Sequence, residues 1–166
     1  LVSSLINKGD TVAVGGSMTL FECGIIDLLK QGDYNFLDRY RQGLTPGQIQ
    51  EIYLESFHAD VYFSSSNAVT ENGELFNVDG NSNRVAAICY GPKSVIVIAG
   101  WNKIVRDFDE AVQRVKTISA PKNGERLGYD TYCRATGNCI DKNIGVGCNS
   151  DARMCCNYVL TSYQKQ

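Results

Sequence analysis

Three short apolar runs, separated by segments with helical periodicity, constrain this chain to an alternating architecture. Residues 11–14 (TVAV), 60–63 (DVYF) and 94–99 (SVIVIA) have the length and near-continuous apolar character of buried parallel strands. Strands that alternate with helices predict an α/β fold with a mostly parallel sheet flanked by helices. The chain has 166 residues, enough for a sizeable core, and we expect a single domain over residues 1–166.

Capping signals predict where the helices begin and end. Thr19 has the spacing of a capping box before a helix that runs through Leu29. Thr45 precedes a proline and has a glutamine three residues later, which predicts a second helix start. Asp107 marks a third start, and Pro121 is expected to end that helix.

Residues 64–84 (SSSNAVTENGELFNVDGNSNR) form a polar stretch between a predicted strand and a predicted helix. An Asn-Gly pair inside it predicts a β-hairpin over residues 68–78, an antiparallel excursion from the sheet. Polar segments displayed by an apolar scaffold are where proteins usually carry their chemistry. This stretch is therefore the first candidate site.

A second candidate segment, Gly-Gly-Ser at residues 15–17, follows the first predicted strand. The carboxyl ends of parallel strands meet at one edge of a sheet, so we expect this turn and residues 64–67 to lie together. Glycine backbone, amides and guanidinium groups suit a small anion. The alternative interpretation is a plain turn with simple caps and a solvated connector. The predicted ligand-binding residues are Gly15, Gly16, Ser17, Thr19, Arg39, Ser64, Asn67, Asn81, Ser82 and Arg84.

Glu71 lies at the predicted hairpin tip, where a carboxylate could act as a nucleophile or a base. The alternative is that Asn-Gly makes the turn and Glu71 keeps it soluble. His58 is the single histidine, and its place at a helix end predicts a surface charge rather than a catalytic role.

Five of the seven cysteines lie in residues 133–156, a Cys-rich C-terminal loop region. Thiolates select zinc or iron–sulfur clusters, so this region is a candidate metal site. Reduced structural thiols and a redox pair remain the alternatives. The predicted metal ligands are Cys133, Cys139, Cys148 and Cys155.

The net charge and the hydropathy of the chain limit the classes of partner that it can bind. The net charge of −2 argues against nucleic acid or an anionic membrane surface as the main partner. The longest apolar run, residues 94–99, is too short to span a bilayer. Residues 1–6 lack the charged start of a secretory signal, so we expect a cytoplasmic protein. The apolar pattern of the same residues predicts the end of a helix that begins upstream.

Several motifs together resemble the LUD domain family, the lactate-utilisation (LutC-type) proteins. The similar segments cover nearly the whole chain: residues 15–17, 38–40, 59–75, 78–86, 91–92, 102–105, 120–121, 137–141 and 153–155. The resemblance implies the NagB/RpiA/CoA transferase-like fold group, which includes ribose-5-phosphate isomerase, glucosamine-6-phosphate deaminase and the CoA transferases.

The resemblance also implies a function. It suggests a bacterial accessory subunit or partner in the iron–sulfur-dependent oxidation of L-lactate to pyruvate, which binds a small carboxylate or phosphorylated ligand and docks on iron–sulfur lactate-oxidation proteins. CoA transferases of the fold group use a Glu in Ser-Glu-Asn-Gly, which Glu71 in Thr-Glu-Asn-Gly partly matches. An enzyme of transferase or isomerase type is therefore one alternative. A metal or redox interaction module, acting through the C-terminal cysteines, is the other.

Overall fold

The structure is a computed structural model that describes residues 1–145 and 147–164. The chain forms two compact units. The first contains Leu1–Ser65 and Ala86–Ala99, and the second contains Ser66–Val85 and residues 100–164. The single domain expected over residues 1–166 stays a prediction.

Strands and helices alternate through much of the chain. The strands are β1 (Thr11–Val14), β2 (Asn35–Phe36), β3 (Val61–Ser64), β4 (Ala68–Thr70), β5 (Leu75–Asp79), β6 (Ser94–Val97), β7 (Ile104–Val105) and β8 (Asn157–Thr161). The α-helices are α1 (Met18–Glu22), α2 (Ile25–Gln31), α3 (Pro46–Glu55), α4 (Asn83–Cys89), α5 (Phe108–Arg114), α6 (Ala120–Leu127) and α7 (Tyr132–Thr136). Short 3-10 helices occur at Val2–Leu5, Ser56–His58 and Trp101–Lys103, and a π-helical turn occurs at Val115–Ser119.

The first unit contains a parallel sheet with the strand order β2-β1-β3-β6. Successive side chains of a strand point to opposite faces of the sheet. Consecutive residues of β1 and β3 are buried, so both faces of these strands are covered. One face packs Val12 and Phe63 against Leu29 of α2, while the other packs Tyr62 against Ile88 of α4. The predicted α/β fold with a parallel sheet flanked by helices is confirmed.

The first predicted helix is interrupted. The structure ends α1 at Glu22 and starts α2 at Ile25, with Gly24 between them at a φ of 73°. Glycine adopts this left-handed conformation without steric cost, so the chain can turn between two short helices. The predicted cap at Thr19 is wrong, because Thr19 lies inside α1 and Ser17 is the residue that precedes the helix.

The second unit contains a mixed sheet with the order β7-β4-β5-β8. The predicted hairpin is present as β4 and β5, which pair antiparallel. Strand β7 runs parallel to β4, and β8 pairs antiparallel with β5 over its full length. Phe76 packs with Val112 and Val115 in the core of this unit.

Pro121 does not end the helix that Asp107 caps, so that prediction is wrong. Helix α5 continues into the π-helical turn and then into α6, and Pro121 lies in the first turn of α6. Proline has no N–H to donate to the preceding turn, and the helix leaves α geometry directly before it, at the π-helical turn. Within the described residues, no helix has the length and apolar character needed to cross a membrane.

Candidate functional site

The Gly15–Ser17 turn of the first unit is held from two sides. The N–H of Gly15 donates to the carbonyl of Phe63 at 2.8 Å, which continues the pairing of β1 with β3 beyond the strand end. The Tyr40 hydroxyl donates to the carbonyl of Gly15 at 3.2 Å. The turn is therefore a fixed backbone surface at the carboxyl end of β1.

The guanidinium of Arg39 lies beside this turn. A Cβ added to Gly16 would stand 3.6 Å from Arg39 Nη1, within van der Waals contact, so glycine at this position places no side chain against that part of the guanidinium. Arg39 Nη2 donates to the Tyr53 hydroxyl at 2.5 Å, and the guanidinium lies 4.5 Å from the centre of the Tyr53 ring. Among the described residues no carboxylate is within ion-pair distance of Arg39. The structure thus positions a half-buried cation by aromatic contacts rather than by an anion.

The other predicted residues of the first unit differ in accessibility. Ser64 is fully buried at the end of β3, and its hydroxyl donates to the carbonyl of Ser65 at 3.2 Å. Gly15 is buried, whereas Gly16 is exposed and Ser17 and Thr19 are half-buried. Gly16 is therefore the most open position of this group, followed by Ser17, Thr19 and Arg39.

In the second unit, Arg84 is tied into a network of amides. Its Nη1 donates to Asn77 Oδ1 at 2.6 Å, and its Nη2 donates to Asn67 Oδ1 at 3.0 Å. Asp79 lies 3.8 Å from Arg84 Nε. Arg84 and Asn67, both predicted to bind ligand, are thus engaged with their own unit. Asn77, which the sequence prediction missed, is 1% exposed, and its Nδ2 has no hydrogen-bond partner in the described part of the chain.

Asn81 and Ser82 lie in the bend before α4. Asn81 is exposed, and Ser82 has a positive φ of 65°, a conformation that is uncommon for a residue with a side chain. The Asn157 side chain donates to the Ser82 hydroxyl. Asp79, not these residues, accepts the N–H of Val85 at 3.1 Å in the first turn of α4. The aspartate that ends β5 is therefore a capping signal that the sequence analysis missed.

Glu71 lies on the exposed turn between β4 and β5. Its N–H donates to the carbonyl of Val105 at 2.9 Å, and the N–H of Gly73 donates to Thr70 to close the turn. Gly73 has a φ of 88°, which explains the Asn-Gly pair without any chemistry. The Glu71 carboxylate nevertheless remains open to solvent.

His58 lies in the first unit, at the end of the Ser56–His58 turn. It is exposed and lines an open groove of about 600 Å³.

The four cysteines predicted as metal ligands, Cys133, Cys139, Cys148 and Cys155, line one small cavity of the second unit. Its volume of about 20 Å³ is close to what a single water molecule occupies. Within the described residues, no three His, Cys, Asp or Glu side chains are arranged to hold a metal ion, and no cysteine is in a disulfide. The donor chemistry suits zinc or a cluster, but the four thiols are not gathered around one point in this structure, and the metal site stays a prediction.

Lys116 is a buried cation beside this cavity that the sequence analysis missed. It is 2% exposed, and its Nζ lies 3.5 Å from Cys139 Sγ and 3.4 Å from the Tyr158 hydroxyl. Burial acts to lower the pKa of Lys116, but Tyr158 and Cys139 outweigh it and raise that pKa above its ordinary value. Burial also raises the pKa of the Cys155 thiol to about 11. The sequence gives no sign that this lysine is buried, because a lysine within a helix is usually exposed to solvent.

The family model described as the LUD domain matches residues 1–166. Among curated proteins no match is found. Among solved structures, ribose 5-phosphate isomerase from Plasmodium falciparum is 15% identical with a TM-score of 0.41, and the alignment covers 99% of this chain and 75% of that chain.

Proposed function

The chain belongs to the LUD domain family over residues 1–166, and from this membership we propose that it takes part in lactate utilisation. Its role is that of an accessory subunit or partner in the iron–sulfur-dependent oxidation of L-lactate to pyruvate, in a bacterial cytoplasm. It binds a small carboxylate near the Gly15–Ser17 turn. The iron–sulfur chemistry belongs to partner proteins.

The observation that carries the ligand site is the position of Arg39. Its guanidinium is held by Tyr53 at the carboxyl end of β1, and the absent side chain of Gly16 keeps one side of it open. A planar guanidinium pairs with a planar carboxylate through two parallel hydrogen bonds, which gives both affinity and orientation. Because no carboxylate of the described chain pairs with Arg39, a ligand anion meets no internal competitor.

Backbone and hydroxyl groups next to Arg39 suit the rest of such a ligand. Gly16 is exposed, and the half-buried Ser17 makes no side-chain capping bond to α1. A short 2-hydroxy or 2-oxo acid has a carboxylate for Arg39 and one further oxygen for a hydroxyl partner such as Ser17. Phosphate offers a similar charge with a tetrahedral shape, so inorganic phosphate is the natural competitor in a binding test.

The binding test uses a matched pair of arginines. L-lactate, pyruvate and inorganic phosphate are titrated calorimetrically into the wild-type chain, Arg39→Met and Arg41→Met. Arg41 is exposed two residues away and serves as the control. We expect Arg39→Met to weaken carboxylate binding roughly tenfold or more, since a charge-assisted hydrogen bond contributes about 1.5–3 kcal/mol. Equal losses in both variants, or no binding to the wild type, would refute the ligand site.

The partner role needs a separate experiment. The tagged chain is expressed with lactate-oxidation proteins that carry iron–sulfur clusters and is isolated without oxygen. Stoichiometric co-purification of these partners, with lactate oxidation by the assembly, supports the accessory role. Lactate oxidation at an unchanged rate by the partners alone contradicts it.

The exposure of Glu71 favours one second candidate, a CoA transferase-like enzyme. The turn leaves this carboxylate free to attack a thioester. The test is exchange of CoA between an acyl-CoA and a free carboxylate, with Glu71→Gln beside the wild type. Exchange that Glu71→Gln abolishes would support the enzyme, and activity that survives in Glu71→Gln would exclude Glu71 as its nucleophile.

The third candidate function is a metal or redox interaction module, because four cysteines line one cavity. If zinc or an iron–sulfur cluster binds, Cys133, Cys139, Cys148 and Cys155 are the residues that would hold it. Anaerobic purification followed by metal analysis and a visible spectrum decides this candidate. A colourless, metal-free chain with titratable thiols would exclude it.

A further inference from the structure

Two hydrogen-bond contacts connect Lys116 and Cys139, one between their backbones and one between their side chains. The N–H of Cys139 donates to the carbonyl of Lys116 at 2.9 Å, and the side chains meet where Lys116 Nζ lies 3.5 Å from Cys139 Sγ. Lys116 is 2% exposed, and among the described residues it makes no ion pair with a carboxylate. A buried amine is therefore fixed against a thiol, with the backbone holding both residues in register.

We propose that Lys116 and Cys139 are a redox modification site, at which dioxygen links lysine Nζ to cysteine Sγ through one bridging oxygen atom. The inference concerns a covalent switch in the second unit and goes beyond the proposed role in lactate utilisation. The oxidant of this reaction is dioxygen, and the product is a crosslink within the chain.

The atoms and electrons of this reaction balance. A thiol, an amine and dioxygen give an S–O–N–H link and one water molecule, after the ammonium has released its extra proton to solvent. New S–O and O–N bonds form, while the S–H bond, one N–H bond and the O–O bond break. Sulfur and nitrogen each lose two electrons, and these four electrons reduce dioxygen to the bridging oxygen and the water oxygen. Capture of a sulfenic acid by a backbone nitrogen, which forms a direct sulfur–nitrogen bond, is an established step of thiol oxidation.

The geometry favours the oxygen-bridged product over a direct sulfur–nitrogen bond. The bridge spans more of the 3.5 Å that separates Nζ from Sγ, so it requires the smaller movement of a packed side chain. Lys116 belongs to the π-helical turn and lies in the interior, which limits that movement. Cys139 is partly exposed, so a molecule as small as dioxygen can reach its sulfur.

The competing reaction is disulfide formation. Cys133, Cys148 and Cys155 line the same cavity as Cys139, and oxidation could instead join two of these thiols in a disulfide. The products differ in mass. The bridge adds one oxygen and removes two hydrogens, a disulfide only removes two hydrogens, and a sulfenic acid only adds one oxygen.

The test exposes the reduced chain, purified without oxygen, to dioxygen and measures its intact mass. We expect a species that has gained one oxygen and lost two hydrogens, in which trypsin no longer cleaves after Lys116. Fragmentation should assign the link to Lys116 and Cys139, and a thiol reductant should restore the original mass. Loss of two hydrogens alone, gain of oxygen alone, or no change in mass overturns the proposal.

Matched variants separate this pair from its neighbours. Cys139→Ser and Lys116→Arg should abolish the species, whereas Cys155→Ser and Lys122→Arg should retain it, since Lys122 is exposed on α6. Formation of the species in Cys139→Ser would refute the assignment. If Lys116→Arg does not fold, the fragment spectrum of the wild-type chain decides alone, because it identifies the two linked residues directly.

Discussion

The carboxylate of Asp60 accepts a hydrogen bond from the backbone N–H of Thr11 at 2.8 Å. Thr11 begins β1 and Asp60 directly precedes β3, so one side chain joins the amino ends of two neighbouring parallel strands. Lys93, which directly precedes β6, donates to the other oxygen of the same carboxylate at 2.7 Å. A single aspartate thus connects the starts of three adjacent strands.

Replacing this aspartate should lower the thermal stability in a pH-dependent way. The Lys93 hydrogen bond, followed by that of Thr11, lowers the pKa of Asp60 below 3.8. The ionised carboxylate therefore stabilises the fold above that value, and the stability is lost as the pH falls through the lowered pKa. Asp60→Asn should unfold at a lower temperature than the wild type at neutral pH, with a smaller difference in strong acid.

Asp33→Asn is the control for that measurement. Asp33 pairs with Lys8, but the two side chains are 71% and 82% exposed, and such surface pairs contribute little. Its unfolding temperature should match the wild type at each pH. A deficit of Asp60→Asn that does not change with pH would contradict the assigned role.

Arg84→Ala should be strongly destabilising. The Arg84 side chain is 12% exposed, and its removal leaves the buried Asn77 Oδ1 without its donor. Asn67 Oδ1 loses one of its two donors and keeps the N–H of Val78. Losing a buried charged group with several hydrogen bonds costs roughly 2–4 kcal/mol. Denaturant unfolding measures the change, with Arg126→Ala on the exposed face of α6 expected within about 0.5 kcal/mol of the wild type. Similar losses in both variants would argue against the network.

Cys155 and Cys156 should react with iodoacetamide at very different rates in the folded chain. Burial, the largest cause, raises the pKa of Cys155 from 9.0 to about 11, so its thiol stays protonated and unreactive until the pH approaches that value. Cys156 is exposed. Peptide mass mapping after brief labelling at mildly alkaline pH should find Cys156 modified first. In denaturant the two should react alike, and equal rates in the folded chain would contradict the burial of Cys155.

Thr45→Ala should cost about 1 kcal/mol of unfolding free energy. The Thr45 hydroxyl accepts the N–H of Gln48 at 3.3 Å, and the Gln48 side chain accepts the N–H of Thr45 at 2.9 Å. Thr117→Ala, which removes an exposed hydroxyl bonded to the carbonyl of Gln113, serves as the comparison. Its expected change is within about 0.5 kcal/mol. A Thr45→Ala variant as stable as Thr117→Ala would count against the capping box.

Local signals account for the features that the sequence predicted well. Thr45 and Gln48 are three residues apart, and the Asn-Gly pair makes its own turn, so neither needs distant partners. The apolar runs of β1, β3 and β6 predicted the parallel sheet because a strand buried on both faces is apolar throughout.

The features that escaped prediction depend on distant residues. Arg84 was predicted to bind a ligand, but its partners Asn67 and Asn77 lie directly before β4 and on β5, and no local pattern reveals a buried amide such as Asn77. Strand β8 follows the cysteine-rich loop and exists through its pairing with β5. Arg39 was predicted from its charge and its place among aromatic residues. Its hydrogen bond to the Tyr53 hydroxyl could not be predicted, because it depends on where α3 packs.

The π-helical turn at Val115–Ser119 has a consequence for how this chain can change. A π-turn holds one residue more than an α-helical turn, which is equivalent to a single-residue insertion within a continuous helix. Because the wider turn absorbs that extra residue, deleting one residue here would return the turn to α geometry and leave the side chains of α6 facing nearly the same way relative to α5. A one-residue deletion elsewhere in α5 or α6 would instead rotate the side chains that follow it by roughly 100°. The Val115–Ser119 turn is therefore the place where this helix tolerates a change of length.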